Sequence, residues 1–365
     1  MPRFARLRAT EVRDVRPGLA RMTLSDGSEA YALTGLCGPV KAGDELLVNA
    51  AAVELGLGTG GAHVVHTNLS SPFGGIGGSG RVMKARYLAE QVPVDAFEEA
   101  LDEAGADRPA LAETAPSDAE LHEAALEDPA MALPSLAGMR VVLCVLHSHA
   151  LALAAAVRDA TGTAPGYVMT DGGALPFVLS DLAAVCLERG VIATAVSTGQ
   201  AFGAPIEAVT VASGVTALAQ RDIEQVVIAP GPGHVGTASP LGFSALDLVG
   251  HAAVLDALGA ATALAARASS VDERARHRGV SHHTRAMAAL GPARTVVPVP
   301  VGPATGEAAW IEALGKQAVG MTPLAVADAL ARCGLSLTSM GRPLAEDRRA
   351  CAWLGAAAAW LAASA

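Results

Sequence analysis

The pattern of apolar and polar residues changes near residue 138 of the chain. Between Phe4 and Leu69, apolar and polar residues alternate, and Asp-Gly and Gly-Asp turns separate the segments. Alternation with a period of two indicates strands with one buried face, so we expect a small antiparallel β module here. From about residue 138 onward, short and uniformly apolar segments alternate with Ala-rich helical stretches. Strands of that kind are covered on both faces, which predicts a mostly parallel sheet flanked by helices.

The second part of the chain is therefore predicted to be a doubly wound α/β domain. Its predicted strands cover residues 141–146, 167–170, 191–197, 226–229, 262–266, 295–300 and 336–340. Its predicted helices cover residues 150–159, 177–189, 206–220, 244–258, 282–290, 307–314, 324–332 and 345–361. We expect three regions: a β-rich module with a Gly-rich connection over 1–92, an acidic linker with short helices over 93–136, and an α/β ligand-binding domain over 137–365.

The composition narrows the class of protein. With 365 residues, 51% of them hydrophobic and 17% charged, the chain is typical of a globular protein. A formal net charge of -10 argues against sequence-independent binding to nucleic acid, which requires a basic surface. Five scattered cysteines without a CxxC pair are typical of free thiols in a reducing compartment, so we expect a cytoplasmic protein.

No membrane segment is expected from the sequence. The N-terminal segment lacks the apolar stretch of a secretory signal. The apolar run 350–363 is shorter than the ~20 residues that a membrane helix needs, and we place it in the core or at a subunit interface. This run and the high apolar content favour a homo-oligomer, most simply a dimer.

Polar and glycine residues follow several predicted strands directly. Ligands of open α/β sheets bind outside the carboxyl ends of the strands, so a succession of such residues predicts a ligand site there. The expected site residues at these strand ends are His147, Asp171, Gly172, Gly173, Thr198, Gly199, Gln200, Gly231, Gly233, His234, Gly236 and Thr237. The turn over 231–237 offers backbone amides for an anion, and Lys84 and Arg86 supply positive charge after the Gly-rich segment 70–80.

Acid-base chemistry is the first interpretation of these residues. Asp171 and His147 are candidate catalytic groups, and so are His282 and His283, which follow Ser281, the expected N-cap of a predicted helix. A helix N-terminus favours neutral imidazole, the form that acts as a base or ligand. The charged stretch 272–278 either binds an anion or is a solvated loop.

A metal site is the alternative interpretation. His147 and His149 form an HxH pair at a strand end, which resembles the first metal-ligand pair of amidohydrolase-type barrels. Candidate ligands for a divalent metal ion are His147, Asp171, His234 and His282. The residues 231–236 also match GxGxxG, but no helix follows at once and no acidic residue ends the next strand, which argues against a dinucleotide.

Several motifs together resemble an uncharacterised bacterial family that is catalogued only as a domain of unknown function. They are RVMKARY (81–87), TDGGALP (170–176), TGQAFG (198–203), GPGHVGTASPLGFS (231–244), RHRGVSHHT (276–284) and SMGR (339–342). The resemblance covers nearly the whole chain and implies no activity. The family's motif after the first strand has an apolar residue where this chain has His149, which counts against the HxH pair as metal ligands.

We therefore expect an enzyme that binds a small anionic metabolite, phosphorylated or carboxylated, at the strand ends. Asp171 and His282 or His283 are expected to exchange protons with it. Two alternatives stay open: a metal-dependent hydrolase that uses His147, Asp171 and His234, and a non-catalytic ligand sensor or scaffold. The expected partner is a small molecule, with neither nucleic acid nor membrane, and a divalent metal is a candidate cofactor.

Overall fold

A computed structural model describes residues 3–56, 60–71, 80–99, 133–301, 311, 317–339 and 341–363. The chain forms two compact units: Met1–Asp95 with Pro176–Asp181, and Ala96–Leu175 with Leu182–Ala365. Most of the expected acidic linker, and the predicted helix 307–314 except residue 311, lie outside the described residues.

The first unit contains a closed five-stranded β-barrel. Its strands are β1 (Phe4–Arg16), β2 (Leu19–Leu24), β3 (Glu29–Leu33), β4 (Glu45–Asn49) and β5 (Ala62–Asn68). They pair in the order β1-β2-β3-β5-β4, and β4 returns to β1. All pairs are antiparallel except β3 with β5, which is parallel. The expected antiparallel module is thus confirmed, and closure of the barrel leaves these strands without a free edge.

Alternating burial explains why this segment folds as a barrel. Along β2, the side chains of Ala20, Met22 and Leu24 are buried, and Leu46 and Val48 of β4 join them in one apolar core. Two short helices, α1 (Thr34–Cys37) and α2 (Ala51–Glu54), and the antiparallel hairpin of β6 (Val82–Lys84) and β7 (Val92–Val94) complete the described part of this unit.

The second unit is built on a six-stranded parallel sheet, which confirms the expected parallel sheet. Its strands are β8 (Arg140–Cys144), β9 (Gly166–Thr170), β10 (Ala195–Ser197), β11 (Ile206–Glu207), β12 (Gln225–Pro230) and β13 (Ala261–Ala265). Their order is β11-β10-β9-β12-β8-β13, and every neighbouring pair is parallel. Every residue of β9 and β10 is buried, as expected for strands covered on both faces.

Helices cover the sheet and fill the apolar core. They are α3 (His147–Thr161), α4 (Asp181–Glu188), α5 (Val211–Ala219), α6 (Leu248–Ala257), α7 (His282–Leu290), α8 (Val326–Arg332) and α9 (Arg348–Ala362). Helix α3 packs against α9, and both contact the central strands β8 and β12; helix α5 packs against α6. Trp353 and Leu354 of α9 are buried, so the apolar run near residue 350 belongs to the core of this unit. The homo-oligomer stays a prediction, and the apolar run no longer supports it because it is buried in the core.

Among the predicted elements that differ from the structure, two involve a strand that the sequence pattern did not predict. The predicted helix 206–220 begins as strand β11, and helix α5 starts only at Val211 because Thr210 is extended and caps it by accepting a hydrogen bond from the Ser213 amide. The predicted strand 295–300 is β16 (Val297–Pro300), which pairs in parallel with β17 (Ala318–Met321), a strand that the pattern did not predict.

Two short antiparallel strand pairs follow the last strand of the main sheet in the sequence. They are β14 (Ala268–Ser269) with β15 (Gly279–Val280), and β18 (Thr338–Ser339) with β19 (Arg342–Pro343). Among the described residues, no helix combines the length and the apolar character needed to cross a membrane.

Candidate functional site

Three adjacent strands bring the candidate site together. Strand β8 lies between β12 and β13 in the sheet, and all three run in the same direction. Helix α3, with His149, follows β8; the turn with His234 follows β12; and Arg267 follows β13. Because parallel strands end at the same edge of the sheet, these residues start from one edge, as expected for a ligand site.

The segment after β13 folds back and places helix α7 at this edge. The backbone amide of Arg267 donates a hydrogen bond to Thr284 Oγ1 (2.9 Å), and the Ser281 amide donates to the carbonyl oxygen of Arg267 (2.8 Å). Ser281 caps α7, as predicted, by accepting a hydrogen bond from the His283 amide. The pairing of β14 with β15 closes the intervening loop, so His277 returns to the start of α7.

Three histidines form a compact cluster at this helix start. Ligand nitrogens of His277, His282 and His283 lie within 4.8 Å of one another. The ring centroids of His282 and His283 are 4.2 Å apart, and His283 stacks on Phe243 at 4.1 Å. His234 meets His283 edge-on, with ring centroids 6.0 Å apart. We call the four histidines, His234, His277, His282 and His283, the histidine cluster.

Several nitrogens of the histidine cluster are buried without a hydrogen-bond partner in the described part of the chain. They are Nε2 of His234, Nε2 of His282 and both ring nitrogens of His283. Nδ1 of His277 lies 2.8 Å from Ser281 Oγ, and Nδ1 of His282 lies 3.3 Å from the carbonyl oxygen of Arg276. Buried polar atoms in native proteins are rarely left without a partner, so these nitrogens are available to a ligand, an ion or water.

The environment keeps most of these imidazoles neutral. Burial, together with the nearby charge of Arg267, lowers the pKa of His234 to about 4 and that of His277 to about 3. Burial also lowers the pKa of His283 to about 3, with contributions from His282 and Arg267. Neutral imidazole is the form that binds metal ions, so the cluster offers a nitrogen ligand set at neutral pH.

A glycine makes room for the histidine cluster. A Cβ atom on Gly236 would lie 2.8 Å from Cε1 of His283 and 3.8 Å from Nε2 of His234. The turn after β12 must therefore have no side chain here if His234 and His283 are to approach each other.

Beside the histidine cluster, three guanidinium groups surround one buried carboxylate. The NH2 atoms of Arg267, Arg274 and Arg342 lie 3.4, 2.9 and 3.3 Å from Oδ2 of Asp272. Burial raises the pKa of Asp272, but hydrogen bonds from Arg274 and the charge of Arg267 outweigh this and hold it well below its ordinary value. Burial lowers the pKa of Arg267 to about 10, which still leaves it charged at neutral pH.

A small pocket opens against these arginines. Seven polar residues line the pocket: His149, Arg267, Ser269, Asp272, Ser339, Arg342 and Asp347. His149 Nε2 lies 3.2 Å from Ser339 Oγ. Burial and the charge of Arg267 lower the pKa of His149 to about 3. Asp347 is held as the N-cap of α9 and accepts hydrogen bonds from the Ala350 and Ser270 amides.

Two predicted catalytic residues lie outside the histidine cluster. His147 Nδ1 lies 2.7 Å from the hydroxyl of Tyr167, and both side chains are buried under the helices. Asp171 is exposed and accepts a hydrogen bond from the Gln200 amide at 2.9 Å. Neither residue belongs to the group of potential metal ligands found in the described residues. Their catalytic roles stay predictions.

The predicted glycine and threonine residues pack the loops after β9, β10 and β12 against one another. A Cβ on Gly173 would lie 2.2 Å from the carbonyl oxygen of Gly231, so these two loops touch backbone to backbone. The Gly231 amide donates to Thr170 O, and the Thr198 amide donates to Met169 O. These amides bind within the protein, while Thr237 donates its hydroxyl to Gly242 O.

The remaining loop residues follow the same pattern. Gly199 and Gly233 adopt positive φ angles of 65° and 77°, which suit glycine, and the Gly172 amide faces Thr170 Oγ1 at 3.5 Å. Lys84, which is buried, and Arg86, which is exposed, belong to the first unit. Their contact with an anion at the site stays a prediction.

Sequence reasoning missed Arg267, Arg342 and Asp347, and left open whether His277 and Asp272 bind a ligand or form a solvated loop. The available signal was modest: an arginine two residues after a strand, and a histidine five residues before the His282-His283 pair. His277 and Asp272 are both buried, which rules out a solvated loop for these two residues.

Comparison with known proteins identifies the family and nothing more specific. No curated protein and no solved structure matches the chain. One family profile, described as Protein of unknown function (DUF3866), matches residues 29–359 and so spans most of the chain. This confirms the resemblance to a family of unknown function, and the chain belongs to that DUF3866 family.

Proposed function

We propose that the protein is a metal-dependent hydrolase whose divalent metal ion is held by His277, His282 and His283. The observation that carries the proposal is the convergence of these rings with unpartnered, buried nitrogens in His282 and His283. Uncharged, desolvated imidazoles gain hydrogen-bond or coordination partners only from a bound species. Imidazole ligands favour zinc, copper, iron or nickel over magnesium and calcium.

The hydrogen bonds around the cluster suit this role. Metal-binding histidines usually donate the second ring N–H to a carbonyl, carboxylate or water, which orients the ring. His282 has such a contact with the carbonyl oxygen of Arg276, and His277 has one with Ser281. Tetrahedral ligand nitrogens ~2.1 Å from an ion are about 3.4 Å apart, so nitrogens that lie up to 4.8 Å apart would approach by up to about 1.4 Å on binding.

The chemistry follows from three imidazole ligands. When bound, an ion of this kind polarises the reacting group and lowers the pKa of a bound water toward about 7. His234, with a pKa of about 4, is a poor proton acceptor at neutral pH. We assign it to orienting the substrate or adding a fourth nitrogen. Phe243 stacks on His283 and excludes water from that side.

Metal content tests the proposal. Protein purified without a polyhistidine tag is expected to contain about one transition-metal ion per chain, because structural and catalytic sites of this type retain their ion. The variant with His282→Ala and His283→Ala is expected to contain almost none. His251→Ala, which removes a half-buried histidine of α6, is the matched control and should keep the ion.

Two results would overturn the proposal. One is native protein that neither contains metal nor takes up added zinc or cobalt. The other is a double variant that retains the full metal content. The first result would favour metal-free acid-base chemistry by Asp171 with His282 or His283, and the second would place the metal at another site.

We also infer that the parallel sheet is doubly wound and that the protein works in a reducing cytoplasm. Support for the first comes from β9 and β10, whose residues are all buried, as in strands covered by helices on both faces. Support for the second comes from the five cysteines, all of which are free thiols.

A further inference from the structure

The geometry points to a second subsite: we propose that the pocket between Arg267 and Arg342 binds a phosphate or carboxylate group of the substrate. As an anion site the proposal stands on the pocket itself. Its identification as part of the substrate site rests on the proposed function.

The first argument is a surplus of hydrogen-bond donors. Each guanidinium carries five N–H groups, so Arg267 and Arg342, which line the pocket, carry about ten donors, whereas the Asp272 carboxylate has about four acceptor sites and shares them with Arg274. Asp272 Oδ1 already accepts from the backbone amide and Nε of Arg274. A ligand with several oxygen acceptors is the natural complement.

The second argument is charge. Arg267 and Arg342 line the pocket together with Asp272 and Asp347, and Arg274, outside the lining, also contacts Asp272, so this group of five side chains carries an excess of one positive charge. Asp347 is committed to the start of α9, where the helix dipole and the amides of Ala350 and Ser270 stabilise its charge. The Arg267 side chain is only 5% exposed, so solvent compensates its charge poorly. An anion balances this excess.

The third argument is position. Arg267 lines the pocket with its side chain, while its backbone amide and carbonyl hold Thr284 and Ser281 at the start of α7. The same residue therefore joins the pocket to the histidine cluster. A substrate whose anionic group sits on Arg267 and Arg342 would extend from there toward His283. Ser339 and His149 complete the polar wall and offer further hydrogen bonds.

Calorimetric titration of the full chain with inorganic phosphate, and separately with acetate, at constant ionic strength tests the proposal. We expect saturable binding of at least one of them, and the tighter one identifies the anion class. Arg342→Gln removes one charged donor at a partly exposed position and is expected to weaken binding about tenfold or more. Arg294→Gln, on an exposed arginine that pairs with Asp256, is the matched control and should bind like the native protein.

The variant His283→Ala separates this proposal from the proposed function. It should lose metal but keep phosphate or acetate binding, and chelator-treated native protein should do the same. Absence of binding to the native chain, or equal affinity in Arg342→Gln, would overturn the anion subsite and leave the metal site untouched. Loss of anion binding in His283→Ala alone would also overturn it, because the anion would then reside on the metal.

Discussion

The Nδ1 atom of His282 lies 3.3 Å from the carbonyl oxygen of Arg276, and this contact determines the tautomer of the ring. A carbonyl oxygen can only accept, so Nδ1 carries the proton and Nε2 presents a lone pair to the cluster. We expect ¹⁵N NMR at neutral pH to show His282 with Nδ1 protonated. Adding zinc should shift the Nε2 resonance of this residue. A protonated Nε2 in metal-free protein would contradict the assignment.

Gly236→Ala is expected to disrupt the histidine cluster without breaking the fold. The added Cβ would lie 2.8 Å from Cε1 of His283, which forces the ring to move. Displacing an oriented ligand typically costs about 10–100-fold in metal affinity, which a competition titration with a chromophoric chelator measures.

The control for this substitution is Gly250→Ala. No atom lies within 4 Å of a Cβ at Gly250, which is in helix α6. Alanine there should raise stability by roughly 0.5–1 kcal/mol and leave metal affinity unchanged. Equal metal affinity in both variants would show that the contact of Gly236 with His283 does not shape the site.

The buried His147 is expected to make stability depend on pH. Burial lowers its pKa in the folded protein to about 4, whereas the unfolded chain has the ordinary value near 6.5. As the pH falls below about 6.5 the unfolded state binds a proton that the folded state cannot, so stability falls toward about pH 4. From pH 7 to pH 5, His147 alone should remove about 2 kcal/mol.

Urea denaturation at the two pH values measures this loss. His147→Gln keeps a hydrogen-bonding group for Tyr167 but does not titrate. The variant should show a correspondingly smaller difference between pH 7 and pH 5. The same difference in native and variant protein would assign the pH dependence to other groups.

Asp272→Asn is expected to destabilise the loop that precedes α7. The asparagine has no charge to offset Arg267, whose side chain is buried, and removing one partner of a buried ion pair costs about 3–5 kcal/mol. Thermal unfolding should show a marked decrease in Tm. Glu273→Gln, at the exposed neighbouring position, should change Tm little. Similar Tm values for the two variants would contradict a structural role for the three arginines that surround Asp272.

The sequence was sufficient to predict features that depend on local patterns. Ser281 followed by two histidines predicted a capped helix start, and the structure has that cap. The strand ending at Pro230 and the turn with His234 were likewise predicted from an apolar run followed by glycines. In these cases the residues that decide the structure are close together in the chain.

Features that depend on distant pairing were not predicted. Arg267 and His277 meet because β14 pairs with β15, and each strand has only two residues, which gives no recognisable period. His147 follows a strand, as predicted, yet its ring turns toward Tyr167 of strand β9. Sequence spacing does not reveal such a direction, because it depends on the order of the strands in the sheet.

The position of β12 in the sheet has a consequence for how the protein folds. This strand pairs with both β8 and β9, although it follows β9 by more than 50 residues. The first two strands therefore leave a gap that only a later segment fills, so native pairing has high contact order and should be slow. His234 directly follows β12, so the complete histidine cluster can form only after this insertion. Formation of the contact between His234 and His283 during refolding would then report the insertion of β12 into the sheet.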